Sequence, residues 1–333
     1  VAQRHLESDE PGKPPETGPR SGGDVLGAYL RAQATEFLRS LRRHRESGAA
    51  DGTADAARDL RRAARRISGT LHTFRPLLDP EWSDALRPEL AWLSGTLAQE
   101  HAYTDRLARL NEALQRLTTA GAERAGTGAG QLPRQAPAAT PLTLGAAKAA
   151  ALLDRQLGLA RTRAHSTALQ SLGSSRFHAV ADLVAVLASD VPLTGSGIEL
   201  PKLAGEAESR LAEAAGVLRR ADHRRATPYD PDADAPWHHV RLLLRLHRYA
   251  QEVVPCADEP RDPVRLSAAA RALDAHRDAA EAAAAAAHAA RTPRIAPATA
   301  YALGVLHADQ RHQVEAARNA FGRAWQRETV GTP

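Results

Sequence analysis

Two stretches of this chain carry arginine at helical spacing, and that spacing suits an anion. Around Arg58 the sequence runs Arg58-Asp59-Leu60-Arg61-Arg62-Ala63-Ala64-Arg65-Arg66, and 180 positions later it runs His238-His239-Val240-Arg241-Leu242-Leu243-Leu244-Arg245-Leu246-His247-Arg248-Tyr249. Aligned on the basic residues, Arg61 falls on Arg241, Arg65 on Arg245 and Arg58 on His238. On a helix, Arg58, Arg61, Arg65, Ser68, His72 and Arg75 follow alternating steps of three and four and so share one face. Leu60, Ala64, Ile67, Leu71, Phe74 and Leu78 form a neighbouring apolar stripe that the core should cover. Arg62 and Arg66 fall off both stripes and are read as solvated.

The second copy is the more demanding one. His238, Arg241, Arg245 and Arg248 make a charged stripe on a helix that is otherwise mostly apolar, flanked by Val240 and Leu244 on one side and by Leu242, Leu246 and Tyr249 on the other. Burying an uncompensated charge costs at least several kcal/mol, so these arginines must face water, acidic partners or an anionic ligand. Internal pairing is the plain alternative. Glu252 lies one turn beyond Arg248, and Glu36, Glu89, Asp105 or Glu208 could reach across from other helices. No acidic stripe of matching length exists to neutralise both copies, so an anion-binding cleft is the favoured reading. A guanidinium fork binds phosphate oxygens in pairs, which suits phosphate chemistry in particular.

The elements that must position these residues are helical. Periodicity near 3.6 runs through most of the chain and strand formers are scattered, so the expected fold class is all-α. Residues 1–22 are polar and rich in Pro and Gly and read as a flexible tail or linker. A second Gly/Pro-rich break, 119–143, separates an expected first half (23–118) from a second (144–330), each with one basic helix. Shorter loops are expected at 47–53, 189–201, 228–236 and 255–263, and the alanine run 282–287 reads as helix.

Composition narrows the function. The 333 residues carry a net charge of +5, and Lys13, Lys148 and Lys202 are the only lysines. An Arg- and Ala-rich chain without Met also reflects codon usage, so placement rather than count carries the argument. Cys256 stands alone, which removes a disulfide framework and a thiolate metal cluster and points to a reducing compartment. No apolar run approaches a membrane span and the first residues lack the apolar segment of a signal peptide, so a cytoplasmic protein is expected. Fourteen histidines raise a metal site, but no HExxH motif or Cys/His cluster occurs, and the adjacent His238 and His239 diverge by about 100° on a helix. His165, His178 and His288 read as surface or internally satisfied residues. No Gly-rich phosphate loop precedes a helix and no nucleophile has an identifiable base, so neither a metal, a cofactor nor catalysis is expected.

The residues resemble a known family, the CHAD (conserved histidine α-helical domain) family, over about 23–327. The family segment His-x-x-Arg-x-x-x-Arg-x-x-Arg, often followed by Tyr, is matched by His238, Arg241, Arg245, Arg248 and Tyr249. Supporting stretches are 23–31, Phe74-Arg75-Pro76-Leu77-Leu78 and Leu172-Gly173-Ser174-Ser175-Arg176-Phe177. The resemblance implies two pseudo-symmetric helical bundles around a basic central cavity that binds inorganic polyphosphate, association with polyphosphate granules, and an accompanying triphosphatase-type domain or protein. The chain departs from the family pattern at Arg58, Ser68, Ala102 and His312. The site expected on these grounds comprises Arg58, Arg61, Arg65, His72 and Arg75 from one half and His238, Arg241, Arg245, Arg248 and Tyr249 from the other. Protonation of His72, His101 and His238 should tighten anion binding as pH falls through about 6.5. Binding of a nucleic-acid backbone and service as a scaffold for acidic proteins stay open as alternatives. Aromatic content of only 4% argues against recognition of single strands by base stacking.

Overall fold

The computed structural model describes residues 21–46, 50–127, 141–195, 197–222, 231–254 and 263–326. Among these, nine α-helices follow in order: α1 (Gly22–Glu46), α2 (Ala50–Thr73), α3 (Pro80–Thr127), α4 (Pro141–Leu172), α5 (Ser175–Ser189), α6 (Leu200–Asp222), α7 (Ala235–Val253), α8 (Pro263–Ala290) and α9 (Pro297–Gln326). Short 3₁₀ turns at Arg75–Leu77 and Pro231–Asp234 precede α3 and α7. The described residues contain no strand, only one isolated bridge between Leu78 and Leu193. The all-α class is thus observed.

Local chemistry sets several helix starts. At α1 the Ser21 hydroxyl accepts from the Asp24 amide at 3.2 Å while the Asp24 carboxylate accepts from the Ser21 amide at 3.0 Å, a reciprocal cap. Ser174 caps α5 by accepting from the Phe177 amide, and Asp79 caps α3 by accepting from that of Trp82. Proline stands first in α3, α4, α8 and α9, where its missing N–H would be unpaired anyway.

The apolar residues gather in three clusters. The first joins the stripe of α2 (Leu60, Ala64, Ile67, Leu71) and the Phe74 and Leu78 that follow it to α1, the first part of α3, α5 and the end of α7. The second joins the later part of α3 to α4, the end of α8 and the start of α9; the third joins α6, the start of α7, the start of α8 and the end of α9. Long helices therefore run from one cluster into the next. In α8 the alanine run serves that purpose: Ala279, Ala282, Ala283, Ala286 and Ala289 are all essentially inaccessible, and their small side chains leave room for α9.

Two expectations about boundaries change. The break placed at 119–143 is helical at both margins, because α3 continues through Thr127 and α4 already starts at Pro141; 128–140 lie outside the described residues, as do 1–20 of the expected tail. A glycine inside a helix costs about 1 kcal/mol, which alanine-rich neighbours can absorb. The core does not divide at that break either, since α5, from beyond it, packs on α1. Of the expected loops, 189–201 agrees closely with the gap between α5 and α6; in 228–236 the described part is the turn Pro231–Asp234 and the first residues of α7; the loop expected at 47–53 is already helical from Ala50; and 47–49, 228–230 and 255–262 are outside the described residues.

Candidate anion-binding site

α2 and α7 touch where glycine permits it. A Cβ on Gly69 would lie 2.5 Å from Cδ2 of Tyr249, so the Tyr249 ring rests directly on the α2 backbone. Arg65 and Arg61 stand four and eight residues before Gly69, and Arg245 and Arg241 stand four and eight before Tyr249. That contact therefore sets the four guanidinium groups in register. All four line one cavity of about 420 Å³, with His72 from α2, Arg87 from α3 and Arg277 from α8. A neighbouring pocket of about 230 Å³ shares Arg65, Arg241, Arg245 and Tyr249 and adds Arg62, Arg66 and Arg248.

The charges are unevenly matched. Arg241 donates from Nε to Asp274 at 2.6 Å, and Arg277 pairs with Asp278. Arg61, Arg65 and Arg245 form no ion pair with any described residue, and Nε of Arg61 and of Arg65 is buried without a hydrogen bond. Burial, followed by the neighbouring Arg65, Arg277 and Arg241, lowers the pKa of Arg61 to about 10. Burial, followed by Arg65 and Arg241, lowers that of Arg245 to about 9. Both remain protonated at neutral pH, held against one another's repulsion. Three of the five acids that could have neutralised them are engaged elsewhere: Glu36 pairs with Arg39 and Arg43, Glu89 with Arg176, and Glu252 with Arg66.

The structure sorts the expected residues. Arg61, Arg65, His72, Arg241, Arg245 and Tyr249 come together, and Arg248 stands exposed at the second pocket. Arg58 lines neither pocket; it is exposed and pairs with Asp55 on its own helix. Arg75 is also outside, bound through two hydrogen bonds of 3.0 and 2.6 Å to Asp84. The helical periodicity that placed it on the stripe ends at Thr73, where the chain turns into the 3₁₀ segment containing Pro76. His238 is exposed near the start of α7, with its ring edge-on to His276 at 5.8 Å.

Arg62 is exposed as expected, at the rim of the second pocket and paired with Asp59 at 3.3 Å, whereas Arg66, also read as solvated, is partly buried. Arg66 reaches Glu252 at 2.7 Å, and Tyr29 donates to the same carboxylate at 2.7 Å. Burial and then Glu252 push the Tyr29 phenol far above its usual range, so it stays a donor. Arg87 and Arg277 were not anticipated, because neither lies in the repeated stretch. Arg87 donates to Nδ1 of His72 at 2.9 Å. Burial, then Arg87 and Arg210, lowers the pKa of His72, so that its protonation no longer falls at the expected pH.

A different cationic cluster lies at the foot of α7. Arg311 donates to Asp234 at 2.7 Å and Arg318 does so at 2.7 Å, with His276 at 3.3 Å. Burial alone would raise the Asp234 pKa; hydrogen bonds from His276 and Arg311 overcome it and hold the carboxyl far below its usual range. Trp237 covers this group, stacked on His276 at 5.3 Å and beneath Arg318. The site's composition includes no metal centre among the described residues: no group of three or more His, Cys, Asp or Glu is placed to hold an ion. No described helix is long and apolar enough to cross a membrane.

Helices that close on arginines define an all-α protein, among the described residues, with an arginine-lined pocket. The family model named CHAD domain matches residues 32–287, and the chain belongs to that family. Among solved structures it is similar to PptA from Streptomyces chartreusis, with 59% identity and a TM-score of 0.76, covering 91% of this chain and 99% of that one. It also shares its fold with the CHAD domain from the plant Ricinus communis, at 19% identity and a TM-score of 0.53, covering 91% and 92% of the two chains. No curated protein matches the chain.

Proposed function

We propose that the chain binds inorganic polyphosphate, without catalysis, on the arginines between α2 and α7. The observation that carries this reading is the convergence of Arg61, Arg65 and Arg245 with no carboxylate of the described residues paired to any of them. Membership of the CHAD family supports it. A linear phosphate polymer repeats its negative charge along its length, and the two pockets present guanidinium groups on both sides of Arg65, Arg241 and Arg245. Each charge-assisted hydrogen bond contributes about 1.5–3 kcal/mol before ordering costs, so a handful suffices for submicromolar affinity. On this reading α2 and α7 are corresponding helices of an internal duplication and the cleft is its central basic cavity. The proposed setting is cytoplasmic, at polyphosphate granules, beside a triphosphatase-type domain or protein.

The test is a titration with long-chain polyphosphate, competed with tRNA, duplex DNA and heparin, and repeated at rising salt. Displacement by polyphosphate alone, with affinity falling steeply as counterions compete, is the expected result. Equal displacement by every polyanion would reduce the arginines to a general basic surface, and a flat salt response would contradict a multi-arginine cleft.

A further inference from the structure

The larger cavity has a wall that a bare phosphate polymer does not use. Beyond Arg87, α3 lines this cavity with Ala91, Gly95 and Ala98, interrupted only by the Ser94 hydroxyl, and α7 adds Leu242 and Leu246. Leu242 remains 46% exposed, and a Cβ on Gly95 would meet nothing within 4 Å, so this floor is open and apolar. Its volume of about 420 Å³ lies in the range of small-molecule sites, about 300–1,000 Å³, which are typically apolar with a few convergent polar groups. The adjoining pocket is different. It is lined mainly by arginines with Glu252 and Asp274, and its apolar contribution comes from Leu244, Ala270 and the Tyr249 ring.

Phosphate gains nothing from leucine or alanine, whereas an organic group attached to it would gain from covering them. We infer that the larger cavity takes the organic end of an oligophosphate ester: the phosphates lie on Arg65, Arg241 and Arg245, shared by both pockets, and an apolar or aromatic group lies on the α3 floor. This rests on the reading of the arginines as a phosphate cleft and adds the class of ligand.

Calorimetric titration of the full chain, without divalent cations, separates the two. ATP is compared with inorganic tripolyphosphate, and farnesyl diphosphate with inorganic pyrophosphate. At least one ester should bind about tenfold tighter than its inorganic counterpart, the order expected for covering one leucine-sized apolar surface. The ester carries less negative charge in each pair, so such a gain is not electrostatic. The pair that shows it distinguishes a nucleotide from a prenyl source. Gly95→Leu should fill the open floor and remove the tenfold gain while leaving inorganic binding unchanged. Esters that bind no tighter than their inorganic counterparts, or a variant that weakens both equally, would overturn the inference while leaving the phosphate cleft standing. Failure of all four compounds and of long-chain polyphosphate would overturn the cleft and the inference together.

Discussion

At the foot of α7, Arg311 and Arg318 close on Asp234; farther along the same helix, Arg245 gathers with Arg61 and Arg65, and none of the three forms an ion pair with a described residue. The first cluster is a finished structure: Glu315, 2.9 Å from Arg318, joins Asp234 to balance the two arginines, and Trp237 packs over the group. The second is unfinished in the same physical sense, because its like charges repel and two buried Nε atoms have no acceptor. Buried arginine by itself therefore says little about ligands. What distinguishes a binding site from a structural ion pair is whether the chain supplies the anion.

The contrast is sharpest in binding. Arg241→Glu combined with Arg245→Glu reverses two charges in the open cluster and leaves the Asp234 cluster untouched. At about 1.5–3 kcal/mol for each charge-assisted hydrogen bond, polyphosphate affinity should fall by at least about a hundredfold, with helical circular dichroism retained. Collapse of the helical signal would mean that the open arginines hold the fold, and the two clusters would no longer differ in kind.

The reciprocal change acts on stability. Asp234→Ala would take from Arg311, 2% exposed, the carboxylate it pairs with at 2.7 Å, and removing one member of a buried ion pair typically costs about 3–5 kcal/mol. Denaturant unfolding should show that loss. Any folded fraction should retain polyphosphate binding, because Asp234 lines neither pocket. In the open cluster the sign reverses. Arg245→Met removes a half-buried cation that faces other cations, so the free protein should gain about 1 kcal/mol in denaturant unfolding, while the additional stabilisation given by polyphosphate shrinks. A variant less stable than the parent would show that Arg245 has a structural partner.

How much of this was legible follows from the distance over which each feature is determined. The arginine register of α2 and the burial of Leu60, Ala64, Ile67 and Leu71 are set within one helix, so periodicity exposed them. The pairing of the two basic helices could be read because the pattern recurs. Arg58 and Arg75 were misplaced by the same periodicity. Arg58 finds Asp55 one turn away, and Arg75 lies beyond the end of the helix. Arg66 with Glu252 was hidden for another reason: 186 residues separate the partners, and only the packing of α2 on α7 brings them together. Likewise Asp234 sits 77 residues from Arg311, in a short turn whose sequence signals only a loop. The apolar floor of the larger cavity depends on α3, a helix outside the repeat.

The smallest expected effect concerns His72, where the open cluster meets a titratable group. Its Nδ1 accepts from Arg87, and burial followed by Arg87 and Arg210 disfavours the imidazolium. The folded protein therefore takes up this proton less readily than the unfolded chain does. The sign follows: this contribution to the stability of the free protein is present above the unfolded histidine pKa and is lost as pH falls from about 6.5 toward the lower folded value. A bound polyanion reverses the local field and favours the imidazolium, so the gain in affinity that His72 gives on acidification should continue below about 6.5, toward the lowered value of the free protein, rather than be complete there. Comparing polyphosphate affinity and thermal stability from pH 7.5 to 5 in the parent and in His72→Gln isolates this term from those of His247 and His276, whose pKa values burial also lowers. The variant should lose part of the acid-induced tightening and part of the acid-induced destabilisation together. Loss of neither would place His72 outside the field of the bound anion, leaving the arginines of α2 and α7 as the whole of the electrostatic site.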